Sequence, residues 1–287
     1  NLLDSAGYTN LLGRSSKELD LRNFADVKHF YQSEKPDYVI DAAATVGGIM
    51  ANKKNLFKFL IENSQIQNNL IKLSFDFDVK KFIFLGSSCI YPRFSKQPIK
   101  EDYLLSGKLE STNEGYAIAK IAGLKMCEYI KKQHEKEFLS LMPTNLYGPN
   151  DNFDLESSHV IPAMIRKFHE AKKNNSDVVL WGSGKPFREF LHVNDLARAI
   201  LLILKESPKE FFYNVGTGKD ISILELSKLI QKIVGHRGKI IWDTKKPDGT
   251  PKKLLDISKI KKLGWSPSIN LEKGLKETYE FYLNYHV

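Results

Sequence analysis

Three short, almost unbroken apolar runs constrain this chain most: residues 37–43 (DYVIDAA), 81–86 (KFIFLG) and 137–142 (EFLSLM). Long amphipathic patterns separate them, over 55–77 and 113–135. A strand that is apolar at consecutive positions must be covered on both faces, the condition of a parallel sheet with helices on each side. The alternation predicts an α/β fold: a doubly wound parallel sheet with right-handed crossovers. Upstream, the pattern predicts a strand over 8–13 and a helix over 21–34.

The pattern loosens after Pro149. A helix is expected over Val160–Lys173, a strand over Val178–Trp181 and an extended run over 187–193. A helix over 193–206 is expected to take its cap from Asn194 or Asp195. A strand over 211–215, a helix over 223–235, a strand over 239–242 and two short helices complete the chain. This reads as two domains. Residues 1–150 and 189–215 form a dinucleotide-binding unit, and 151–188 and 216–287 a smaller α/β substrate-binding unit.

The 81–120 stretch carries the chemistry. Ser87 follows the apolar strand, and Tyr116 and Lys120 stand four residues apart on the next helix, hence on one face. A Tyr hydroxyl gives or takes the proton of a carbonyl oxygen, and a nearby ammonium draws the phenol toward the working pH. The Ser hydroxyl holds the same oxygen. The spacing alone is weak, since Tyr31 and Lys35 repeat it without a Ser-tipped strand before them. That copy reads as chance. The Ser-bearing strand end singles out Tyr116 and Lys120, because open parallel sheets bind ligands beyond the carboxyl ends of their strands.

The net charge of +9 suits nucleotides and diphosphates. No basic stripe interleaves with aromatics, so nucleic acid is not an expected partner. No apolar run reaches the roughly 18 residues of a membrane span. Cys89 and Cys127, the only cysteines, form neither a C-x-x-C nor a metal-ligand cluster, so no metal is expected and reduced thiols in a cytoplasmic protein are. A Rossmann-type sheet begins with a strand and a Gly-rich turn that holds the cofactor diphosphate. That fingerprint does not occur, and Gly47-Gly48 follows the wrong strand. Residues 1–7 (NLLDSAG) read as the tail of a helix, so about 20 residues are expected to precede them.

SSCIYP, EGYAIAK, MPTNLYGPNDNF, SHVIPAMIRKFHEA, WGSGKPFREFLHVNDLA and KPDGTPKKLLD together resemble the GDP-L-fucose synthase family of extended short-chain dehydrogenase/reductases, over nearly the whole chain. The resemblance implies NADPH-dependent 4-reduction and 3,5-epimerisation of a GDP-4-keto-6-deoxy sugar. It places reduction on Ser87, Tyr116 and Lys120, and epimerisation on Cys89 and His159. The C4 ketone acidifies the hydrogens at C3 and C5, and Cys and His titrate near enough to neutrality to move them. Arg14 is implied at the 2′-phosphate of NADPH, where a guanidinium pairs with phosphate in bidentate fashion. Ala42, Ala43 and Ala44 are implied beneath the cofactor, with Pro143, Asn145, Leu146 and His159 bordering it. Ser88, Asn145, Lys167, Trp181, Arg188 and Lys253 are implied on the GDP-sugar. A homodimer is implied through the two long helices.

Two positions depart from the family. Gly115 stands where a Pro commonly precedes the Tyr, which would loosen the helix start and admit a bulkier group. Lys167 stands where an Arg is familiar, without the planar fork. The sugar is therefore open. A GDP-linked 6-deoxyheptose 4-reductase with little or no epimerase activity is the near alternative, and a non-catalytic nucleotide-sugar binder the remote one.

Overall fold

The structure, a computed structural model, describes residues 1–287. The first half runs α1 (Leu2–Ser5), α2 (Phe24–Glu34), β1 (Tyr38–Asp41), α3 (Ile49–Lys54), α4 (Leu56–Asp76), β2 (Lys81–Leu85), α5 (Glu114–His134), β3 (Glu137–Pro143) and β4 (Asn145–Tyr147). The second half runs α6 (Val160–Lys173), β5 (Val178–Trp181), β6 (Phe187–His192), α7 (Val193–Lys205), β7 (Phe212–Val215), β8 (Asp220–Ser222), α8 (Ile223–Val234), β9 (Ile240–Asp243), β10 (Lys252–Lys253), α9 (Ser258–Lys262) and α10 (Leu271–His286). No helix is long and apolar enough to cross a membrane.

Four strands make the main sheet, in the order β1-β2-β3-β7, all parallel. Phe82, Ile83, Phe84, Phe138, Leu139 and Leu141 are fully buried in it, as runs covered on both faces require. Helices α4 and α5 lie side by side on one face, with Phe59, Ile66, Leu70, Ile71 and Leu73 buried along α4. Each such side chain stabilises the fold by about 1.5–3 kcal/mol. Lys81 opens β2 from inside the core. Its Nζ donates to the carbonyls of Ile203, Leu204 and Glu206, satisfying the free end of α7.

The chain changes sheet at Thr144. Pro143 still pairs with Val215 of β7, whereas Asn145 pairs with Phe190 of β6. The second sheet runs β10-β6-β4, with β8 antiparallel to β6, and β5 and β9 form a separate parallel pair. Ile161, Ile165, Phe168, Leu226, Ile230 and Leu275 gather in a second apolar cluster. Leu255, Ile257, Ile260 and Trp265 return to the first.

Several expectations need correction. Residues 8–13 form no strand, because no strand lies beside them to take their backbone hydrogen bonds. Asn23 caps α2, its side chain accepting from Ala25 N–H at 3.0 Å, so the helix starts at Phe24 rather than at 21. Neither Asn194 nor Asp195 caps α7. His192 Nδ1 accepts from Asn194 N–H at 3.3 Å, while Asp195 is drawn away to Ser268 and Ile269 N–H. The closing helix α10 is a full 16 residues, not short. Tyr31, half of the second Tyr/Lys spacing, is a core residue bonded to Ser74 Oγ at 2.8 Å.

Gly123 lets α5 approach β2. A Cβ there would meet the Phe84 ring at 2.6 Å and Gln67 at 3.0 Å. Gly123→Ala is expected to destabilise the fold by about 1–3 kcal/mol and lower Tm by several degrees in calorimetry. An unchanged Tm would mean the ring moves aside freely.

Candidate active site

Because β1, β2 and β3 are parallel, Asp41, Leu85 and Pro143 end them along one edge. Gly86 N–H still donates to Leu141 O at 2.9 Å, and then the chain leaves the sheet. Ser87, in extended conformation, caps a single 3-10 turn over Ser88–Ile90. Its Oγ accepts from Cys89 N–H at 3.2 Å. This turn sets Cys89 beside Ser87, while Ser88 is buried within it.

The facing wall is the first two turns of α5. Lys120 is 3% exposed, and its Nζ donates to Leu85 O at 2.9 Å. The same Nζ lies 4.6 Å from the Phe84 ring centroid and 5.9 Å from that of Tyr116. The Ser87 hydroxyl favours the phenolate of Tyr116. Burial outweighs it. Burial first, then the charge of Cys89, hold the phenol well above its ordinary range. The expected downward pull of Lys120 on the phenol is therefore not the dominant effect here. Lys120 itself is pushed down by burial and raised by Asp41.

Cys89 Sγ collects two donors. Asn113 Nδ2 lies 3.1 Å away and Lys253 Nζ 3.7 Å away. Asn113 is the N-cap of α5, yet its side chain makes no cap bond, because it is turned to the sulfur. Lys253 pairs in register with Arg188 across β10 and β6. Arg188 is pushed down by burial and feels the charges of Cys89 and Asp248. Its Nη2 donates to Asp248 O at 3.2 Å, and Asp248 also accepts from Ser183 N–H at 2.7 Å. Trp181 lies between two ammonium groups, Lys167 at 5.3 Å and Lys246 at 5.1 Å from its ring centroid. Lys167 Nζ also donates to Val179 O at 3.0 Å.

Other residues singled out from the sequence lie further from this cluster. His159 is an exposed N-cap of α6 whose side chain makes no cap bond. Its loop docks on the one after β1, where Gly48 N–H donates to Ser157 O at 3.3 Å. Ala42, Ala43 and Ala44 directly follow β1, with Ala42 exposed. Pro143 is buried at the end of β3, Asn145 Nδ2 donates to Glu189 O at 2.8 Å, and Leu146 is half-buried beside it. Arg14 is exposed, bonded to Glu34 at 2.9 Å and stacked over Phe30. Gly115 does not enlarge the site. A Cβ there would lie 2.4 Å from Leu56 O, so α4 fills the space a larger group would need.

The sequence reading missed Asn113, Lys246, Asp248 and Asp41. The first three act across long sequence separations and left no local sign. Asp41 did leave one, as a carboxylate inside an apolar run. It is 2% exposed, accepts from Ala43 N–H at 3.2 Å and leaves Oδ2 without a partner.

Residues 2–216 match the model of the NAD dependent epimerase/dehydratase family. The chain is 55% identical over 282 residues to a putative GDP-L-fucose synthase 2 of Arabidopsis thaliana, covering 98% of this chain and 86% of that one. Among solved structures it is similar to a GDP-6-OMe-4-keto-L-xylo-heptose reductase from C. jejuni, with TM-score 0.92, 37% identity, and coverage of 99% and 92%. It is also similar to a GDP-L-fucose synthetase from Naegleria fowleri bound to NADP, with TM-score 0.89, 31% identity, and coverage of 99% and 87%.

Burial raises Asp41 from 3.8 to about 6, partly offset by the Lys120 charge. A carboxyl raised on folding adds stability at low pH that is lost as pH climbs through its folded value. A displacement of that size is worth about 3 kcal/mol. Asp41→Asn is therefore expected to melt several degrees above the parent chain at pH 8 and together with it at pH 4. Equal melting at both pH values would show that the carboxyl is not buried as described.

Proposed function

We propose that this chain, which belongs to the NAD dependent epimerase/dehydratase family, reduces the C4 ketone of a GDP-4-keto-6-deoxy hexose with NADPH and epimerises C3 and C5, the GDP-L-fucose synthase reaction. The observation that carries the reading is the meeting of Ser87, Tyr116 and Lys120 beyond the end of β2.

The cofactor fits the residues present. The Lys120 ammonium has three donors and a single protein acceptor, Leu85 O, leaving donors for ribose hydroxyls. The small side chains of Ala42, Ala43 and Ala44 leave the strand end open to close approach. Arg14 is the proposed partner of the 2′-phosphate, with Pro143, Asn145, Leu146 and His159 beside the nicotinamide. When bound, NADPH supplies the hydride at C4. Tyr116 delivers the proton to O4; burial keeps the phenol protonated, and the Ser87 hydroxyl opposes burial by favouring the phenolate that forms. Ser87 holds the same oxygen, and Lys120 stabilises the phenolate left behind.

Cys89 and His159 are the proposed acid–base pair at C3 and C5. Asn113 and Lys253 orient the sulfur, so Lys253 serves the thiol as well as the diphosphate we assign to it with Arg188. Ser88, Asn145, Lys167 and Trp181 complete the proposed sugar-nucleotide site. In this reading residues 1–150 and 189–215 carry the cofactor, and 151–188 with 216–287 carry the GDP-sugar. A cytoplasmic homodimer belongs to the same proposal. Phe57 and Ile61 on α4, and Ile118 and Tyr129 on α5, are exposed apolar groups at helical spacing that support pairing of these helices. Both cysteines are free.

A second reading, C4 reduction of a GDP-linked heptose with little or no epimerisation, is supported by likeness to the C. jejuni reductase. Incubation with GDP-4-keto sugars and NADPH in deuterated water separates the two. The first reading expects deuterium at C3 and C5 of the product and its loss in Cys89→Ser; unlabelled product would favour the second. In either case Tyr116→Phe is expected to lower kcat by about 10²–10⁴-fold. Binding of the GDP-sugar without consumption of NADPH would contradict both. Light scattering of the native chain tests the dimer, and Phe57→Glu is expected to yield monomer.

A further inference from the structure

The structure holds a charge arrangement that the reduction chemistry above does not use. Asp41 ends β1 and pairs in register with Phe84 of β2. Residues paired across neighbouring strands present their side chains to the same face of a sheet. The Phe84 ring carries the Lys120 ammonium at 4.6 Å, so Asp41 and Lys120 share the α4–α5 face. Each lacks partners. Lys120 has one acceptor, Leu85 O, and Asp41 Oδ2 has none. They make no direct ion pair. Their coupling passes through a buried interior, where opposite charges act at longer range than in water.

We propose that Asp41 is a positioning residue for the reduction: it is the counter-charge that keeps the Lys120 ammonium protonated, and so sets the alkaline limit of turnover. The proposal rests on the reading that Lys120 serves the reduction. Asp41 is not assigned any contact with the sugar. Without a role, its place is hard to account for, because a buried carboxylate with one oxygen left unbonded costs the fold stability that a Leu would not.

After burial, the partner's charge is the largest influence on each of the two groups. The titratable groups that feel the Asp41 charge are Tyr116 and Cys127 on α5 and Tyr31 on α2. Burial pushes all three upward, so each is uncharged near neutrality. From α4, Gln67, which does not titrate, lies with the Phe84 ring against Gly123, and its Nε2 donates to Ala119 O at 2.5 Å. Asp41 raises Lys120, and Lys120 lowers Asp41, as reciprocal coupling requires.

Two measurements on the full chain test this. The first is the pH profile of kcat/KM for NADPH-dependent reduction. Removing the carboxylate lowers the Lys120 value further, so Asp41→Asn is expected to move the alkaline limb about one unit toward neutrality, a roughly tenfold loss on that limb. Asp41→Glu is expected to restore part of the shift. A uniform loss at every pH, with the limb unmoved, would mean a merely structural residue and overturns the proposal. The second needs no turnover. NMR of chain enriched with 13C-aspartate is expected to show the Asp41 carboxyl titrating near pH 6 and moving upward in Lys120→Met. An unmoved midpoint also overturns the proposal. A midpoint that moves in a chain that reduces no GDP-4-keto sugar would instead defeat the reduction reading, and the role of Asp41 with it.

Discussion

One buried ammonium ties the candidate site to the fold. Lys120 anchors α5 to the last carbonyl of β2 at 2.9 Å, and it lies over the Phe84 ring. A desolvated cation on an aromatic face is stabilised by about 2 kcal/mol, and the carbonyl adds a charge-assisted bond. This contact fixes the rotation of α5 and so places Tyr116, one turn earlier, opposite Ser87. It works only because glycine stands at two close approaches. Gly123 lets the helix reach Phe84, and Gly115 lets its first turn pass Leu56 O. The arrangement leaves donors of the ammonium unspent at the edge where all parallel strands of the main sheet end.

A second constraint comes from the return of the chain. Strand β10 brings Lys253 alongside Arg188, and from there to the sulfur of Cys89. The loop before it carries Lys246 to Trp181, and Asp248 to Ser183 and Arg188. Positive groups thus gather around a thiol and an aromatic ring, between elements separated by more than 150 residues along the chain in the case of Cys89 and Lys253. The surplus of positive groups there agrees with a diphosphate-bearing substrate.

Much of the fold was legible because each element carries its own local rule. The buried strands announce themselves as unbroken apolar runs, and the helices by their 3.6-residue period. What failed is what depends on neighbours. Residues 8–13 have strand composition, yet a strand exists only where another strand accepts its hydrogen bonds. Asp195 is a good cap by type, but the backbone of Ser268 and Ile269 claims it and leaves His192 to cap α7. Gly115 reads as slack from the sequence, whereas the packing of α4 makes it a site with no room.

The proposed catalytic trio shows the same division. Ser87, Tyr116 and Lys120 lie within one βα unit, so spacing and order along the chain were enough to nominate them. The order of the strands, the face of each helix and the residue types that chemistry requires all follow from local pattern. Only the tertiary structure decided which charges meet. It brought Lys253 and Asn113 to Cys89, put Asp41 on the same face as Lys120, and let burial rather than a neighbouring cation govern the Tyr116 phenol. The physical reason is that ionisation depends on solvent exclusion and on charges that are near in space, and neither quantity is written in the spacing of residues along a chain.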